Sequence, residues 1–188
     1  MKHRKSNDLY IYLIDKNDKI ISVSNNWSTF AQQNMGATER SPNNVIGSSL
    51  WSFIQDEETT HLYEIIIQKI RKNLRPVNIP FRCDSPEERR FLNLSIVPMK
   101  NDFITFLSQI VETESRDPVQ LLRYNINSSD TFIRICSMCK KIALSETEWR
   151  EIEDAIKILN LFEKDPLPQL THGICEPCYT AAMANFEK

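Results

Sequence analysis

Two pairs of cysteines constrain this chain of 188 residues more than any other feature of its sequence. Cys136 and Cys139 enclose two residues, and so do Cys175 and Cys178. This spacing lets both sulfurs of a pair face one ion from a tight turn, and two such turns supply the four thiolates of a closed tetrahedral site. Because no secretory leader pattern precedes them, metal or thiol chemistry is favoured over structural disulfides. The sequence therefore predicts Zn²⁺ bound by these four cysteines.

His172 offers an alternative ligand, since it stands three positions before Cys175. It would replace one thiolate, or donate a hydrogen bond to a sulfur from outside the ligand set. Metal-free thiols and disulfides are the remaining interpretations. A thioredoxin-like redox pair is disfavoured, because neither pair follows a strand and opens a helix in a βαβ unit. The fifth cysteine, Cys83, stands alone in a predicted strand and is expected to be a small buried apolar residue.

The segment between the two pairs, residues 140–174, is unusually long for a zinc ribbon. It has 35 residues, whereas about 15–20 are usual. Ser145 and Glu148 have the spacing of a capping box, which predicts the start of a helix. Apolar residues at helical spacing continue to Phe162, and the prolines at 166 and 168 end the pattern. The sequence therefore predicts a helix of about 16 residues, roughly 24 Å long, and a loop that returns the chain to the site.

The first 112 residues carry strand and helix patterns in an order typical of an α+β domain. Two strands come first, helices follow, and three strands come last, which predicts a five-stranded antiparallel sheet with helices on one face. The predicted elements are a hairpin over 9–24, a short helix over 25–33, a long helix over 56–73 and strands over 77–83, 90–99 and 102–111, with an irregularity near Leu92.

Composition divides the chain into three parts. Residues 1–112 form the predicted sheet domain, 113–130 a polar linker or connecting helix, and 131–188 a small helical zinc-binding element. A unit of fewer than about 70 residues usually needs a disulfide, a structural metal or another cross-link to fold. We therefore expect the metal to hold the last part together, and the first part to fold around its own core.

Several stretches of sequence resemble a PAS domain. The stretches IYLIDKNDKIISVS, NNWSTFAQQN and VIGSSLWSFI precede the long helix in that order. More narrowly, FRCDSPEERRFLNLSI (81–96), CSMCKKI (136–142) and LTHGICEPCY (170–179) are similar to a family of small bacterial PAS-like proteins with a cysteine-rich tail. That family has no assigned enzymatic activity. The resemblance implies a sensory or protein-interaction module.

The resemblance also implies a sheet face that, closed by helices, holds a small ligand or is filled by side chains. A flavin photosensor would need a reactive cysteine, and residues 34–54 contain none. A haem would need an axial ligand, for which His61 on the long helix is the candidate, but a polar residue on the helix flank is the favoured interpretation of His61. We expect a filled pocket without haem or covalent flavin, and we assign no cofactor-binding residues in this half.

Arginines bracket a turn-rich segment between two predicted strands. Arg82 and Arg90 flank the turn residues Asp84, Ser85 and Pro86. If the two arginines face each other across the strand pair, their guanidinium groups would offer an anion or partner site. The alternative is a solvated hairpin in which they pair with neighbouring carboxylates.

Charge and composition argue against several classes of function. The chain has 23 Lys and Arg against 25 Asp and Glu, so no overall positive field attracts a nucleic acid or an anionic membrane. Its three glycines are isolated and cannot form a phosphate-binding loop. No apolar stretch approaches the roughly 18 residues of a membrane span, so we expect a soluble cytoplasmic protein. No nucleophile stands beside an oriented base, so we expect no enzymatic activity.

The sequence thus predicts an intracellular sensory or adaptor protein with structural zinc. Its expected partner is a signalling protein, with a small molecule as a second candidate; whether it forms a homodimer stays open. One alternative is a thiol redox switch that releases zinc on oxidation. The other is a zinc-finger-type nucleic-acid binder, which 7 Lys and Arg against 9 Asp and Glu in 131–188 disfavour.

Overall fold

The computed structural model describes residues 3–4, 8–29, 41–54, 56–123 and 128–186. Within them the chain folds as α+β with two sheets, the first of which is antiparallel. Its strands are β1 (His3–Arg4), β2 (Leu9–Ile14), β3 (Ile20–Val23), β4 (Val77–Arg82), β5 (Glu88–Pro98) and β6 (Ile104–Ser115). The main path runs β3-β2-β6-β5-β4, and the short β1 pairs with the far end of β6. The predicted five-stranded antiparallel sheet is therefore present.

The predicted hairpin over 9–24 is confirmed as β2 and β3. The Asp15 carboxylate closes its turn by accepting hydrogen bonds from the backbone N–H groups of Asn17 at 2.8 Å and Lys19 at 2.9 Å. Asp18 has φ 60°, a left-handed conformation that Asp tolerates. Of the short helix predicted over 25–33, residues 27–29 are helical and 30–33 lie outside the described residues.

The long helix is confirmed. After α1 (Pro42–Val45) and a single 3-10 turn (Leu50–Phe53), α2 spans Glu57–Asn73. The Asp56 carboxylate caps it by accepting the N–H of Thr59 at 2.7 Å, and left-handed Leu74 ends it. The apolar residues that α2 buries are Leu62, Ile66, Ile67 and Ile70, and Ile65 beside them is half-buried.

The inner face of the first sheet packs with α2 in one apolar core. Tyr12 of β2 and Phe106 of β6 stack with ring centroids 4.5 Å apart, and Trp27 meets Tyr12 edge-on at 6.0 Å. The register of β5 against β6 shifts between Phe91 and Leu92, which confirms the predicted irregularity. Leu92 stays buried beyond the shift. Local sequence patterns thus predicted the strands and the long helix of this half.

The C-terminal part is not the helical element that the sequence predicted, because it contains a second sheet. Its strands are β7 (Ser128–Cys136), β8 (Ile142–Ala143), β9 (Trp149–Arg150) and β10 (Leu167–Gly173), in the order β10-β7-β8-β9. β10 runs parallel to β7, and the other pairs are antiparallel. Two short helices complete it, α3 (Ile152–Ile158) and α4 (Glu176–Met183).

The long helix predicted from Ser145 to Phe162 is wrong. Ser145 does accept a hydrogen bond from the N–H of Glu148 at 3.1 Å, as a capping residue would. However, the N–H of Leu144 donates to the carbonyl of Glu148 at 2.8 Å, which closes a tight turn between β8 and β9. The hydrogen bond from the Glu148 N–H to Ser145 is compatible with a helix cap and with a turn. In this chain it belongs to a turn, and the strands on either side of the turn pair with each other. The helix begins later, at Ile152.

The two halves share one core. Cys136, Met138, Cys175 and Ala182 belong to the apolar cluster that contains α2 and the first sheet. A second cluster lies beneath the second sheet and takes Val119 and Leu121 from the segment that was predicted as a linker. That segment, 113–130, also holds the end of β6 and the start of β7, while 124–127 lie outside the described residues. The division into independently folding ranges stays a prediction.

Candidate metal centre

The four paired cysteines come together in the fold. Their sulfurs all lie within 4.8 Å of one another. Cys139 Sγ and Cys175 Sγ, which belong to different pairs, are 3.7 Å apart. A tetrahedral ion with metal–sulfur bonds of about 2.3 Å separates its sulfurs by about 3.8 Å, so this spacing suits one central ion. Cys136 and Cys175 are buried, Cys139 and Cys178 are half-buried, and all are free thiols. The cluster can therefore bind a metal ion.

The first pair forms the turn between β7 and β8. Cys136 is the last residue of β7, and its carbonyl accepts the N–H of Lys140 at 3.0 Å. Its own N–H donates to the carbonyl of Lys141 at 2.8 Å. Lys140 takes φ 61°, which lets the chain reverse sharply after Cys139. This turn, residues 136–141, is called the first knuckle below.

The second pair follows β10, and the parallel pairing of β10 with β7 explains how it reaches the first. The register places Gly173 opposite Cys136, so both strands end side by side. Cys175 then precedes α4, and Cys178 lies in its first turn. The N–H of Cys175 points to Cys136 Sγ at 3.5 Å. The long insertion therefore does not separate the pairs, because β10 returns the chain to the site. Residues 173–178 are called the second knuckle below.

Gly173, where the second knuckle begins, lies close to two side chains. A Cβ atom at Gly173 would lie 2.9 Å from Arg134 Cδ and 2.9 Å from Glu58 Oε2. Both are closer than side-chain contacts normally allow, so any larger residue would push Arg134 or Glu58 away. The absence of a side chain at Gly173 thus lets Arg134 and Glu58 lie close to the second knuckle.

The proximity of the thiols changes their acidity. Hydrogen bonds from the thiols of Cys139 and Cys178 lower the pKa of Cys136. The bond with Cys136 in turn raises the pKa of Cys139 to about 12, and the bonds with both neighbours raise the pKa of Cys178. Deprotonation of Cys139 and Cys178 is thus unfavourable beside the other sulfurs, and a bound cation would compensate for it.

The first turn of α2 contacts the first knuckle. The Thr59 hydroxyl donates to Ser137 Oγ at 2.9 Å, and the Ser137 hydroxyl lies 3.3 Å from Asp56 Oδ2. From the first sheet, the N–H of Arg82 donates to the carbonyl of Met138 at 2.7 Å. The knuckle is thereby bonded to both the helix and the sheet of the N-terminal half.

The same turn of α2 contacts the second knuckle. Glu58 Oε2 accepts the N–H of Ile174 at 2.7 Å, and Glu58 Oε1 lies 3.3 Å from Arg134 Nη1. The N–H of Ser137 donates to the carbonyl of Gly173 at 2.8 Å, which joins the two knuckles directly. Sequence analysis missed these contacts, because acidic residues at a helix start are explained fully by capping and by the helix dipole.

The other residues singled out by sequence lie outside the cluster. His172 is exposed on β10, opposite Ile135, and is not among the cysteines that converge. His61 is exposed on α2. Cys83 is half-buried beyond the end of β4. Within the described residues, the group whose geometry suits a metal consists of the four cysteines alone.

The arginines at 82 and 90 do not face each other, because the register places Arg82 opposite Phe91. Arg82 makes two hydrogen bonds to the Asp84 carboxylate and one of 2.7 Å to Glu151 before α3. Arg90 pairs with Glu88 at 3.2 Å. The Arg82 guanidinium group is therefore already bound by carboxylates of the chain itself, and the side chains of Arg82 and Asp84 are only 9% and 1% exposed. The predicted pairing of the arginines with neighbouring carboxylates is confirmed, but Arg82 and Asp84 lie in a buried network, so the expected solvated hairpin and the anion site are both wrong.

Arg116, which sequence analysis did not select, completes this network. Its Nη1 lies 3.2 Å from Asp84 Oδ2 and 3.4 Å from Glu153 Oε1, and its Nη2 donates to the carbonyl of Ser85 at 2.6 Å. Burial lowers the pKa of Arg116, with Asp84 and Glu153 opposing that effect. Burial acts in the same direction on Arg82, but hydrogen bonds to Asp84 and Glu151 outweigh it and raise the pKa. The network joins the β4–β5 loop to α3.

No family model matches the chain, and no curated protein matches it. One similar solved structure is a domain of an HTR-like protein from Haloarcula marismortui, 18% identical, with a TM-score of 0.37 over 54% of this chain and 96% of that one. A likeness at this level carries no argument about function. Among the described helices, none is both long and apolar enough to cross a membrane.

Proposed function

We propose that this protein is a sensory or adaptor module in which a structural Zn²⁺ ion, bound by Cys136, Cys139, Cys175 and Cys178, fastens the C-terminal part to a PAS-like half. The convergence of four sulfurs within 4.8 Å carries the proposal. Four thiolates fill a tetrahedral zinc site and leave no open position for substrate, which supports a structural role over a catalytic one.

The PAS-like part of the proposal is supported by the order of its elements. A hairpin, short helical turns, a long helix and three strands follow one another, and the sheet is antiparallel. Its inner face is filled by side chains such as Leu62, Ile66, Ile96 and Phe106, each without exposed surface. A filled face argues against a small-molecule pocket at this place. The net charge of the C-terminal part argues against nucleic acid.

Elemental analysis tests the metal part, with Cys83 as an internal control. We expect about one zinc per chain in protein purified without chelator, and well under half an equivalent after Cys136→Ser or Cys175→Ser. The Cys83→Ser variant should keep full zinc, since that thiol is outside the cluster. A wild-type protein without zinc would contradict the proposal. If His172→Ala loses zinc while Cys178→Ser retains it, the ligand set is wrong.

A redox switch is the second candidate, favoured by the half-buried sulfurs of Cys139 and Cys178. In such a switch, hydrogen peroxide accepts two electrons from two zinc-bound thiolates and two protons from solvent, its O–O bond breaks to give two waters, a disulfide forms between the two sulfurs and the zinc is released. Zinc release by peroxide, followed by full rebinding after a thiol reductant, would support this function. A metal that stays bound while other surface thiols oxidise would favour a purely structural ion.

A further inference from the structure

We infer that Glu58, in the first turn of α2, is a positioning residue for the metal centre, and that it couples metal binding to the order of α2. The inference rests on the proposed metal site and adds its regulation: the presence of the ion is transmitted to the helix that packs on the inner face of the first sheet. Three sets of contacts support it.

The first set joins α2 to the second knuckle. One Glu58 oxygen accepts the N–H of Ile174, the residue before a cysteine of the cluster, at 2.7 Å. The other pairs with Arg134 at 3.3 Å, and the Arg134 guanidinium lies 5.2 Å from the ring of Trp149 in β9. Glu58 thus holds the backbone that directs Cys175. Outer groups that fix the orientation of metal ligands commonly change metal affinity by about 10- to 100-fold.

The second set joins the adjacent residues of α2 to the first knuckle. Thr59 is 7% exposed and donates to Ser137, which lies between the two cysteines of that knuckle. The Ser137 hydroxyl in turn donates to Oδ2 of Asp56, the capping residue, at 3.3 Å. One helical turn therefore contacts both knuckles, and its order depends on theirs.

The third set extends along α2 toward its C-terminal end. Helix α4 begins at the second knuckle, and Ala182, Met183 and Phe186 from α4 and the turn after it belong to the same core as α2. The ammonium group of Lys69 lies 5.0 Å from the ring of Phe186. Cys175 and Cys178 hold the start of α4, so an ion bound there fixes one end of a segment that shares a core with α2 and contacts it at Lys69.

These contacts imply reciprocal effects. If the ion orders the knuckles and the knuckles order α2, then disruption of the α2 contact must weaken metal binding by the same free energy. Glu57 provides a matched control, because it is in the same helical turn, carries the same charge and is exposed without a contact to either knuckle among the described residues. Replacing either glutamate changes the interaction with the helix dipole equally.

The test measures zinc affinity by chelator competition in the full chain. Glu58→Ala should weaken binding about 10-fold, Glu57→Ala should leave it within about twofold, and Glu58→Gln should fall between, since the amide oxygen still accepts the Ile174 hydrogen bond. Equal affinities for all three variants would overturn the inference while leaving zinc binding itself intact. A purely structural role would lower the stability of the metal-free and metal-bound protein alike and leave the affinity unchanged.

Hydrogen exchange on the unmodified protein gives a second readout that needs no variant to fold. Chelation should increase exchange in the first two turns of α2, residues 57–64, as well as in the knuckles. Exchange that increases only within 136–178 would overturn the coupling. Absence of zinc from the wild-type protein would instead refute the proposed function, so the two failures are distinguishable.

Discussion

Replacement of Asp84 should destabilise the protein more than any single change at an exposed ion pair. Its side chain is 1% exposed and lies between the guanidinium groups of Arg82 and Arg116, whose side chains are 9% and 2% exposed. In Asp84→Ala the carboxylates that remain paired with these two cations among the described residues are Glu151 and Glu153, which are 33% and 31% exposed. Removing one partner of a buried ion pair typically costs about 3–5 kcal/mol, because the remaining charge is left uncompensated.

Urea unfolding followed by circular dichroism measures this cost. A loss of about 3 kcal/mol lowers the midpoint by about 1.5 M if the slope is about 2 kcal/mol per M. Glu148→Ala is the matched control, since it removes a carboxylate from an exposed pair, 2.7 Å from Arg150, that is worth about 1 kcal/mol or less. A midpoint for Asp84→Ala within 0.3 M of the control, on the order of 0.6 kcal/mol at that slope, would refute the argument that the network is buried and mutually dependent.

Three further predictions concern acidity and helix capping. Burial raises the pKa of Tyr63 to about 12 from 10.0. Between pH 10 and 12 the folded state therefore keeps a proton that the unfolded state loses, and the free energy of unfolding should fall by about 2 kcal/mol. Tyr63→Phe should reduce that fall, and identical alkaline melting curves for the variant and the wild type would contradict the prediction. Asp56→Ala removes the cap of α2 and should lower the free energy of unfolding by about 1 kcal/mol, measured in urea; no change would show that Thr59 finds another acceptor. Zinc binding should release protons, because the pKa values of Cys139 and Cys178 are raised. The heat of zinc binding measured by calorimetry should therefore differ between two buffers of different ionisation enthalpy, and equal heats of binding would contradict the prediction.

Local sequence patterns predicted the N-terminal half because its elements depend on neighbouring residues. The turn at Asp15, the cap at Asp56 and the apolar spacing of α2 all lie within short stretches of chain. The cysteine cluster was equally predictable, since two residues between cysteines define a knuckle whatever surrounds it. The spacing of the cysteines did not predict the path of the chain that brings the second pair back to the first.

That route depends on long-range pairing. The parallel alignment of β10 with β7 joins residues more than 30 positions apart, and nothing near Gly173 indicates its partner Cys136. Ser145 and Glu148 show the converse problem, because one hydrogen-bond pattern is compatible with a helix cap and with a turn, and pairing of β8 with β9 decides between them.

The buried charges were misassigned for a similar reason. Arg82 and Asp84 were recognised as a pair of opposite charge, but their burial comes from α3 and from Arg116, which are distant in sequence. The contacts of Glu58 and Thr59 with the knuckles were missed because a helix start explains both residues locally. In each case the sequence identified the chemistry of a side chain, and tertiary packing decided its partner.

X-ray absorption at the zinc edge, measured on the full chain as purified, tests the central claim most directly. It reports the identity, number and distance of the atoms bound to the metal without any substitution. Coordination by Cys136, Cys139, Cys175 and Cys178 predicts four sulfur scatterers at about 2.3 Å and no nitrogen or oxygen neighbour. A shell containing nitrogen or oxygen at about 2.0 Å, or the absence of a zinc edge, would contradict the account.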